Sequence, residues 1–339
     1  MTRYWVELSG ENPGLALAEV EGAVRAVGGS LCNDPDPTTV SPLAPIELGD
    51  PSLLAPLASR LGLARRIFSE AASGPVDRGE LAFAAAGAEG KSAEFRLFGG
   101  HGGRLDNPLA LRWAAAYVRG GGRIDLTHPD RRYRVRPTSE TDGTAYLERA
   151  RVDRRAYGHR TMPRLPFQRP VSLPPRRARV VVNLASVKPG DRVIDPFVGT
   201  GALLLEAGLL GAKISGVDRD PEMVRGALKN LSAVGVEADR LSVGDAGETF
   251  PSDRGRWDAL VTDPPYGRAS GSGGEDPAAL LARVLPRWAA RVRPRGRVAV
   301  VVPGGADPLD EPWRRIVSVS DRVHRSLTRE FRVYERATA

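Results

Sequence analysis

The stretch that decides the fold spans residues 193–201 and reads VIDPFVGTG. Two apolar residues that end a short strand lead into an aspartate and then into a glycine loop. Gly199 and Gly201 let the backbone turn tightly and approach a ligand closely, and a helix is expected to begin near Ala202. The loop has neither the G-x-G-x-x-G spacing of a pyrophosphate loop nor the lysine of a P-loop. It predicts a strand–loop–helix ligand site, but by itself it does not identify the ligand.

Short apolar segments alternate with helical patterns around and after this stretch. Strands are expected at 193–194, 214–217, 241–243, 259–261 and 298–302. Such alternation is typical of a parallel, doubly wound sheet, which binds ligands outside the carboxyl ends of its strands. Two final segments, 316–319 and 328–334, alternate polar and apolar residues and are expected as edge or antiparallel strands.

Acidic residues follow three of these strands. Asp195 follows the first strand, and Asp218 follows the second, about 20 residues past the glycine loop, where a carboxylate can accept both hydroxyls of a ribose. Asp245 follows the third strand and could receive an adenine amino group. A pocket that can hold a nucleoside but has no phosphate-binding loop favours S-adenosylmethionine over NAD as the cofactor. The residues predicted to bind it are Asp195, Phe197, Gly199, Thr200, Gly201, Asp218 and Asp245.

The stretch DPPYG at residues 263–267 follows the fourth strand. An exocyclic amine on a base is a poor nucleophile because its lone pair is delocalised into the ring. The Asp263 side chain and the Pro264 carbonyl can each accept an N–H hydrogen bond and so direct the lone pair at a sulfonium methyl group. Tyr266 offers a ring on which the base can stack. Asp263, Pro264 and Tyr266 are therefore the predicted catalytic residues; in isolation the stretch could also be a proline turn with a capping aspartate.

Positive charge is concentrated in the middle of the chain. The formal net charge is +8, and the segment from Arg149 to Arg179 holds ten arginines and a single carboxylate, Asp153. Guanidinium groups pair well with phosphate oxygens, so this segment predicts contact with RNA, although a solvated arginine-rich linker has the same composition. The predicted RNA-binding residues are Arg154, Arg155, Arg160, Arg164, Arg169 and Arg176.

The first half of the chain is interpreted as two small α/β units. The elements expected there are strands at 3–8, 64–69, 124–126 and 133–135 and helices at 13–27, 53–61 and 108–118, with a proline-rich connection at 35–51 and a flexible loop at 99–103. Clustered prolines make residues 160–175 a stiff linker rather than a helix.

The amino-acid composition limits which kinds of site and which cellular location are expected. The single cysteine, Cys32, allows no intramolecular disulfide and no cysteine zinc cluster, and the four histidines lack ligand spacing, so no metal site is expected. No apolar run approaches the roughly 20 residues of a membrane helix, and no secretory signal is visible. A cytoplasmic location is therefore expected, while the oligomeric state is not encoded in any recognisable pattern.

The whole chain resembles the archaeal tRNA (guanine(10)-N2)-methyltransferase family, whose members join an RNA-binding THUMP domain to a class I, Rossmann-like methyltransferase domain. Residues 195–201 depart from the usual D-P-F-C-G-T-G only by Val198, and DPPYGRAS at 263–270 is similar to the family's D-P-P-Y-G-R-S-S. Residues 165–179 are similar to its R-P-F-F-H-P-G-S-M-S-P-K-L-A-R linker, with Arg169 and Val171 in place of histidine and glycine. Residues 124–130 resemble the V-D-L-x-x-P-D strand of THUMP domains.

The resemblance implies an α/β fold in which a Rossmann-like class I methyltransferase domain follows an N-terminal ferredoxin-like/THUMP α+β RNA-binding region. The expected division is a ferredoxin-like α/β domain at 1–48, a THUMP domain at 49–150, an Arg/Pro-rich linker at 151–175 and the methyltransferase domain at 176–339. It also implies that the N-terminal part holds tRNA while the C-terminal part flips one guanine and adds one or two methyl groups to its N2 amine. Some members use a small zinc-binding activator subunit.

Several alternatives stay open. The same chemistry could act on another tRNA position or on ribosomal RNA, and a protein of another class could bind RNA with a degenerate, inactive methyltransferase fold. DNA adenine methyltransferases share the tetrapeptide DPPY, found here at residues 263–266, but the N-terminal region and the linker argue against that class of enzyme. Glutamine methyltransferases that act on release factors typically carry asparagine where Asp263 stands.

Overall fold

The computed structural model describes residues 1–32, 43–98, 105–161, 164–169, 172–250, 256–265, 275–305, 307–324 and 327–337. Two β-sheets organise these residues, one built between residues 2 and 151 and the other between residues 192 and 336.

The first sheet is built from mostly antiparallel strands. Its strands are β1 (Thr2–Leu8), β2 (Ser30–Leu31), β3 (Leu43–Leu48), β4 (Ala64–Pro75), β5 (Ser92–Leu97), β6 (Arg123–Ile124), β7 (Arg131–Pro137) and β8 (Asp142–Arg151). Its helices are α1 (Pro13–Ala26), α2 (Leu54–Arg60), α3 (Val76–Gly87) and α4 (Pro108–Arg119), and 3₁₀ helices lie at Pro51–Leu53 and Arg154–Arg160. The strand order is β2-β3-β1-β4-β8-β7-β5-β6 among the described residues. Because β4 pairs with both β1 and β8, the sheet continues across the boundary predicted between residues 48 and 49. The predicted division into domains stays a prediction.

Most of the elements predicted for this region are confirmed, but the proline-rich connection at 35–51 is wrong in its second part. Strand β3 lies there and pairs with β1 and β2, and its side chains at Ile46 and Leu48 are fully buried. Pro42 before the strand and Pro45 inside it hid a period-two alternation of apolar residues. Helix α3 and strands β2, β5 and β8 were not predicted either. The predicted loop at 99–103 lies outside the described residues.

The second sheet has the predicted doubly wound arrangement. Its strands are β9 (Arg192–Asp195), β10 (Lys213–Asp218), β11 (Arg240–Val243), β12 (Trp257–Thr262), β13 (Val292–Val302), β14 (Trp313–His324) and β15 (Leu327–Arg336). Its helices are α5 (Pro175–Leu184), α6 (Ala202–Leu209), α7 (Pro221–Ala233) and α8 (Pro277–Ala289). The strand order is β11-β10-β9-β12-β13-β15-β14 in the described part of the chain. Strands β9 to β13 pair in parallel and β15 pairs antiparallel with both neighbours, as the sequence predicted.

Helices α1 and α5 join the two sheets. A Cβ atom added at Gly22 of α1 would lie 2.1 Å from the carbonyl oxygen of Asn183 in α5, so only glycine permits this close approach. Beside it, the fully buried Glu19 carboxylate accepts hydrogen bonds from the Gly62 and Leu63 amides at 2.7 Å and from Asn183 Nδ2 at 2.8 Å. Burial raises the pKa of Glu19. Because every acceptor in this network has a donor, the network fixes how the N-terminal region sits on α5.

We predict that Gly22→Ala destabilises the protein by about 1–3 kcal/mol, because the new methyl group forces α1 away from α5. Urea unfolding measures the change. The matched control is Gly14→Ala in the same helix, whose Cβ would meet its nearest neighbour, a Val319 methyl group, at an ordinary 3.6 Å. The control should be neutral or slightly stabilising, since alanine is the better helix former. Equal stability of the two variants would contradict the close packing.

Candidate active site

The carboxyl ends of four parallel strands lie side by side in the order β11, β10, β9, β12. The chain runs outward from β9 to β10 and β11 and then returns to β12 on the other side, so β9 marks the switch point where doubly wound sheets bind ligands. The four predicted aspartates stand at these ends: Asp245, Asp218, Asp195 and Asp263. With a spacing of about 4.8 Å between strands, the row is about 14 Å wide, which suits an extended nucleoside-bearing ligand.

The glycine loop turns sharply between β9 and α6. Gly199 and Gly201 have φ angles of +52° and +82°, which side-chain-bearing residues rarely adopt. A Cβ at Gly201 would lie 3.0 Å from the Cβ of Ala227, so this glycine lets α6 and α7 approach. A Cβ at Gly199 would meet no atom within 4 Å, so the loop leaves room there for a ligand to contact its backbone. Helix α6 begins at Ala202, as predicted.

Asp195 ties the ends of two strands together. Its Oδ1 atom accepts hydrogen bonds from the Phe197 amide at 2.9 Å and from the Thr262 hydroxyl, at the end of β12, at 2.8 Å. Burial, together with the nearby charges of Asp218 and Asp263, raises the pKa of the Asp195 carboxyl group to about 7, even though the two hydrogen bonds act to lower it. The three carboxylates therefore form one negatively charged cluster at the switch point.

Asp218 has capacity left for a ligand. Its two carboxylate oxygens accept one hydrogen bond each, from the Gly199 amide at 2.7 Å and from the Asp220 amide at 2.9 Å. Burial raises the pKa of this group too. A carboxylate has about four lone-pair sites, so two sites remain for the hydroxyls of a ribose. The hydrogen bond to Gly199 also fixes the glycine loop over the end of β10.

Asp245 stands at the exposed end of the row. Its side chain is 40% exposed, accepts a hydrogen bond from the Gly247 amide at 2.6 Å and lies 3.3 Å from Arg283. The turn that follows is held by a hydrogen bond from the Trp288 indole to the Ala246 carbonyl at 2.7 Å. These contacts hold Asp245 in the turn after β11.

The DPPYG stretch leaves β12 at the opposite end of the row. Asp263 is half-buried and Pro264 is buried, and both directly follow the last residue of the strand. Because the charge of Asp263 raises the pKa of Asp195, the predicted catalytic carboxylate lies near the predicted cofactor site. Tyr266 lies outside the described residues, as does the glycine-rich loop at 271–274 that the sequence places after the motif.

A residue that the sequence did not single out joins the linker to the glycine loop. Asn230 of α7 is 1% exposed and makes three hydrogen bonds. It accepts from the Phe167 amide at 2.9 Å and donates to the carbonyls of Phe167 at 2.9 Å and Thr200 at 3.0 Å. The hydroxyls of Ser172 and Thr200 lie 2.9 Å apart. The linker is therefore fixed to the loop that is predicted to hold the cofactor. The available sequence signal was an asparagine on the apolar face of α7.

The six predicted RNA-binding arginines have different surroundings. Arg155 is exposed, whereas Arg160 is only 14% exposed and pairs with the buried Glu206 of α6 at 2.8 Å. The remaining four contact a neighbouring side chain: Arg154 and Arg176 both pair with Glu11, Arg169 pairs with Glu222, and Arg164 lies 3.2 Å from His159 Nδ1. Contact of these arginines with RNA stays a prediction, and the buried ion pair gives Arg160 a structural role.

Two other kinds of feature are absent from the described ranges. No group of three or more histidine, cysteine, aspartate or glutamate side chains there could hold a metal ion. No described helix combines the length and the apolar character that crossing a membrane requires.

Comparison with known proteins identifies the domain and its relatives. The family model described as "RMKL-like, methyltransferase domain" matches residues 164–311. The tRNA (guanine(10)-N2)-dimethyltransferase of Methanothermobacter thermautotrophicus is 36% identical over 240 residues, which cover 69% of this chain and 70% of that protein. The enzyme of the same name from Pyrococcus abyssi is 39% identical over 53% of this chain and 54% of its own length.

A solved structure shares the fold along the whole chain. TrmN from Thermus thermophilus has a TM-score of 0.50 and 20% sequence identity, over 98% of this chain and 99% of that one. SMU.472, a structural neighbour crystallised with S-adenosylhomocysteine, also has a TM-score of 0.50, at 15% identity. At these identities the likeness concerns the fold alone. The match to the Methanothermobacter enzyme, which covers more than two thirds of both proteins, shows that this chain belongs to the archaeal tRNA (guanine(10)-N2)-methyltransferase family.

Proposed function

We propose that the protein transfers methyl groups from S-adenosylmethionine to the exocyclic N2 amine of a guanine in tRNA, at position 10. The observation that carries the proposal is the row of four aspartates at adjacent strand ends, with the DPPYG stretch at the end where the target base would enter. The names of the relatives support the substrate, since both archaeal proteins are tRNA (guanine(10)-N2)-dimethyltransferases.

The described residues fit the cofactor by size, charge and hydrogen-bonding capacity. The Asp218 carboxylate has two free lone-pair sites for ribose hydroxyls, the Gly199 backbone is open to a ligand, and Asp245 can accept an adenine N–H group. S-adenosylmethionine, when bound, supplies an electrophilic methyl group on a sulfonium cation. The negative cluster of Asp195, Asp218 and Asp263 attracts that cation and attracts the neutral product less strongly.

Positioning is the second part of the chemistry. Asp263 and the Pro264 carbonyl accept the two N–H groups of the guanine amine and aim its lone pair at the methyl carbon. The buried Pro264 cannot rotate about φ, so its carbonyl stays in place. Acceptor groups held in this way need no reorganisation during the reaction. One or two methyl groups are added, depending on the room left around the amine.

Three further aspects belong to this proposal. We place the enzyme in the cytoplasm because its substrate is tRNA and its one cysteine needs no oxidising compartment. The dependence on a small zinc-binding activator subunit, which the family resemblance raised, is tested by assaying the protein alone. The predicted THUMP domain and the predicted arginines of the linker supply the tRNA contacts.

The proposal predicts that Asp263→Ala lowers the rate of methyl transfer to unmodified tRNA at least about 100-fold, because one acceptor that orients the amine is lost. Affinity for S-adenosylmethionine should change much less. Asp263→Asn is the matched control: its amide oxygen still accepts one hydrogen bond, so it should retain more activity than alanine. The assay follows the transfer of a labelled methyl group from S-adenosylmethionine to tRNA transcripts that carry guanine or adenine at position 10.

Label that requires both Asp263 and guanine 10 supports the proposal. Label on the adenine-10 transcript would overturn the assigned position but keep the chemistry. If Asp263→Ala were as active as the wild type, the assigned role of the aspartate would be wrong. Label found only on ribosomal RNA would show that ribosomal RNA, and not tRNA, is the substrate.

The raised pKa of Asp195 predicts a pH dependence of cofactor affinity. Below pH 7 the carboxyl group is mostly protonated, and above it the group carries the charge that attracts the sulfonium. A bound cation lowers this pKa and releases a proton, so affinity should rise by about tenfold through neutral pH if the pKa falls by about one unit. Calorimetric titration measures the affinity for S-adenosylmethionine at each pH. S-adenosylhomocysteine is the control because its sulfur is neutral. An identical pH profile for the two ligands would contradict the electrostatic role.

Asn230 is predicted to position the glycine loop through Thr200. Asn230→Ala removes three hydrogen bonds and should raise the KM for S-adenosylmethionine about tenfold, while kcat at saturating cofactor changes little. The exposed neighbour Lys229→Ala is the control and should behave like the wild type. A thermal unfolding scan accompanies the assay. An effect on stability without the shift in KM would show that Asn230 is structural only.

A further inference from the structure

One face of the first sheet carries helices and the other carries arginines. Side chains alternate along a strand, so residues two apart share a face. Phe95 of β5 and Tyr133 of β7 are buried under α3 and α4. The alternate positions point to the opposite face, where Glu94 lies beside Arg132, and Arg96 beside Arg134, in the parallel backbone register of β5 and β7. Strands β4 and β8 bring further arginines to the same region.

These side chains surround a pocket of about 240 Å³, which we call the arginine pocket. Five of its lining residues are arginines and one is a glutamate. The lining residues are Arg66, Glu94, Arg96, Leu126, Thr127, Pro129, Arg132, Arg134 and Arg151. Four strands thus bring five guanidinium groups together around one small volume. Arg151 belongs to the segment that the sequence predicted to contact RNA, and the other four arginines lie outside that segment.

The carboxylates nearby do not balance this charge. Arg66 pairs with Glu7 at 2.8 Å and with Glu148 at 3.2 Å, and Glu148 also pairs with Arg151 at 2.9 Å. Glu94 is shared by Arg96 and, at 3.5 Å, by Arg134. Five guanidinium groups therefore share three carboxylates.

Arg132 and Arg134 line the pocket in different states. Among the residues that the structure describes, no carboxylate lies within ion-pair distance of the half-buried Arg132. The Arg134 side chain is only 8% exposed. Burial and repulsion from Arg66 and Arg96 lower the pKa of Arg134, so an anion in the pocket would relieve unfavourable interactions already present in the fold.

An extended polyanion fits the surroundings better than a free anion does. Arg151 belongs both to the pocket and to the arginine-rich segment that continues through Arg154 and Arg155 along the chain. At the rim, Leu126 is 58% exposed and can contact a ribose or a base, and the exposed Thr127 carries a hydroxyl. Planar guanidinium groups bind phosphate oxygens in a bidentate manner.

We propose that the arginine pocket binds a backbone phosphate of the RNA substrate, at a site separate from the site of methyl transfer. This inference rests on the proposed function in one respect, that the substrate is RNA. The pocket holds and orients the RNA through its backbone, while the base is selected at the carboxyl ends of β9 and β12.

The test is the binding of fluorescently labelled, unmodified tRNA to the full chain and to Arg132→Gln over a series of salt concentrations. Loss of one phosphate contact should weaken binding about five- to tenfold at low salt and reduce the slope of log affinity against log salt by about one. Calorimetry should show unchanged affinity for S-adenosylmethionine. The matched control is Arg119→Gln, an exposed arginine of α4 on the helix-covered side of the sheet, and it should keep the wild-type slope.

Wild-type affinity and slope in Arg132→Gln would overturn the inference and leave the proposed function standing, because methyl transfer is measured separately. A weakened variant of a protein that binds tRNA but transfers no methyl group to it would keep the pocket and overturn the proposed function. Equal loss in Arg132→Gln and Arg119→Gln would show general charge attraction and count against a specific site. Inorganic phosphate that binds Arg132-dependently, without any effect of the variant on tRNA, would also count against it.

Discussion

The parallel pairing of β9 with β10 on one side and β12 on the other is the constraint on which the rest of the site depends. Its register sets Asp195 opposite Gly216 and Ile194 opposite Leu260, so that the strands end at one edge. A slip of one residue would turn the buried side chains to the wrong face. The hydrogen bond from Thr262 to Asp195 joins two of these ends. In the proposed mechanism, cofactor and target base meet at this edge because chain segments nearly 70 residues apart end side by side.

A tRNA methyltransferase must also hold its RNA in a fixed position relative to that edge. This requires that the parts of the chain keep one arrangement, and buried polar contacts connect them. Glu206 of α6, 1% exposed, pairs with both Arg160 and Arg179, which attaches the linker and α5 to the helix that follows the glycine loop. Glu19 and Gly22 fix α1 on α5 in the same way. Breaking such a buried pair leaves an uncompensated charge, so these contacts specify a single arrangement rather than merely adding stability.

Local patterns were enough to predict the second sheet and the placement of the four aspartates after its strands, because the information lies in contiguous residues. Strand–loop–helix order, strand ends followed by aspartates and the start of α6 at Ala202 were all predicted correctly. What could not be predicted depends on partners distant in sequence. Arg160 looks like the other arginines of its segment in the sequence, but in the fold it forms an ion pair with Glu206. The role of Asn230 depends on its hydrogen bond with Phe167, 63 residues earlier. The arginine pocket is dispersed over four strands, and β3 was hidden by its prolines.

We propose above all that the row of aspartates at the strand ends holds S-adenosylmethionine and a guanine amine so that the methyl group passes from one to the other. The most direct measurement is nucleoside mass spectrometry of unmodified tRNA after incubation with the wild-type protein and S-adenosylmethionine carrying a heavy methyl group. Heavy label is expected in N2-methylguanosine or N2,N2-dimethylguanosine, in the fragment that contains nucleotide 10. Heavy label in N6-methyladenosine, or none in any guanosine while the protein binds the cofactor, would contradict this proposal.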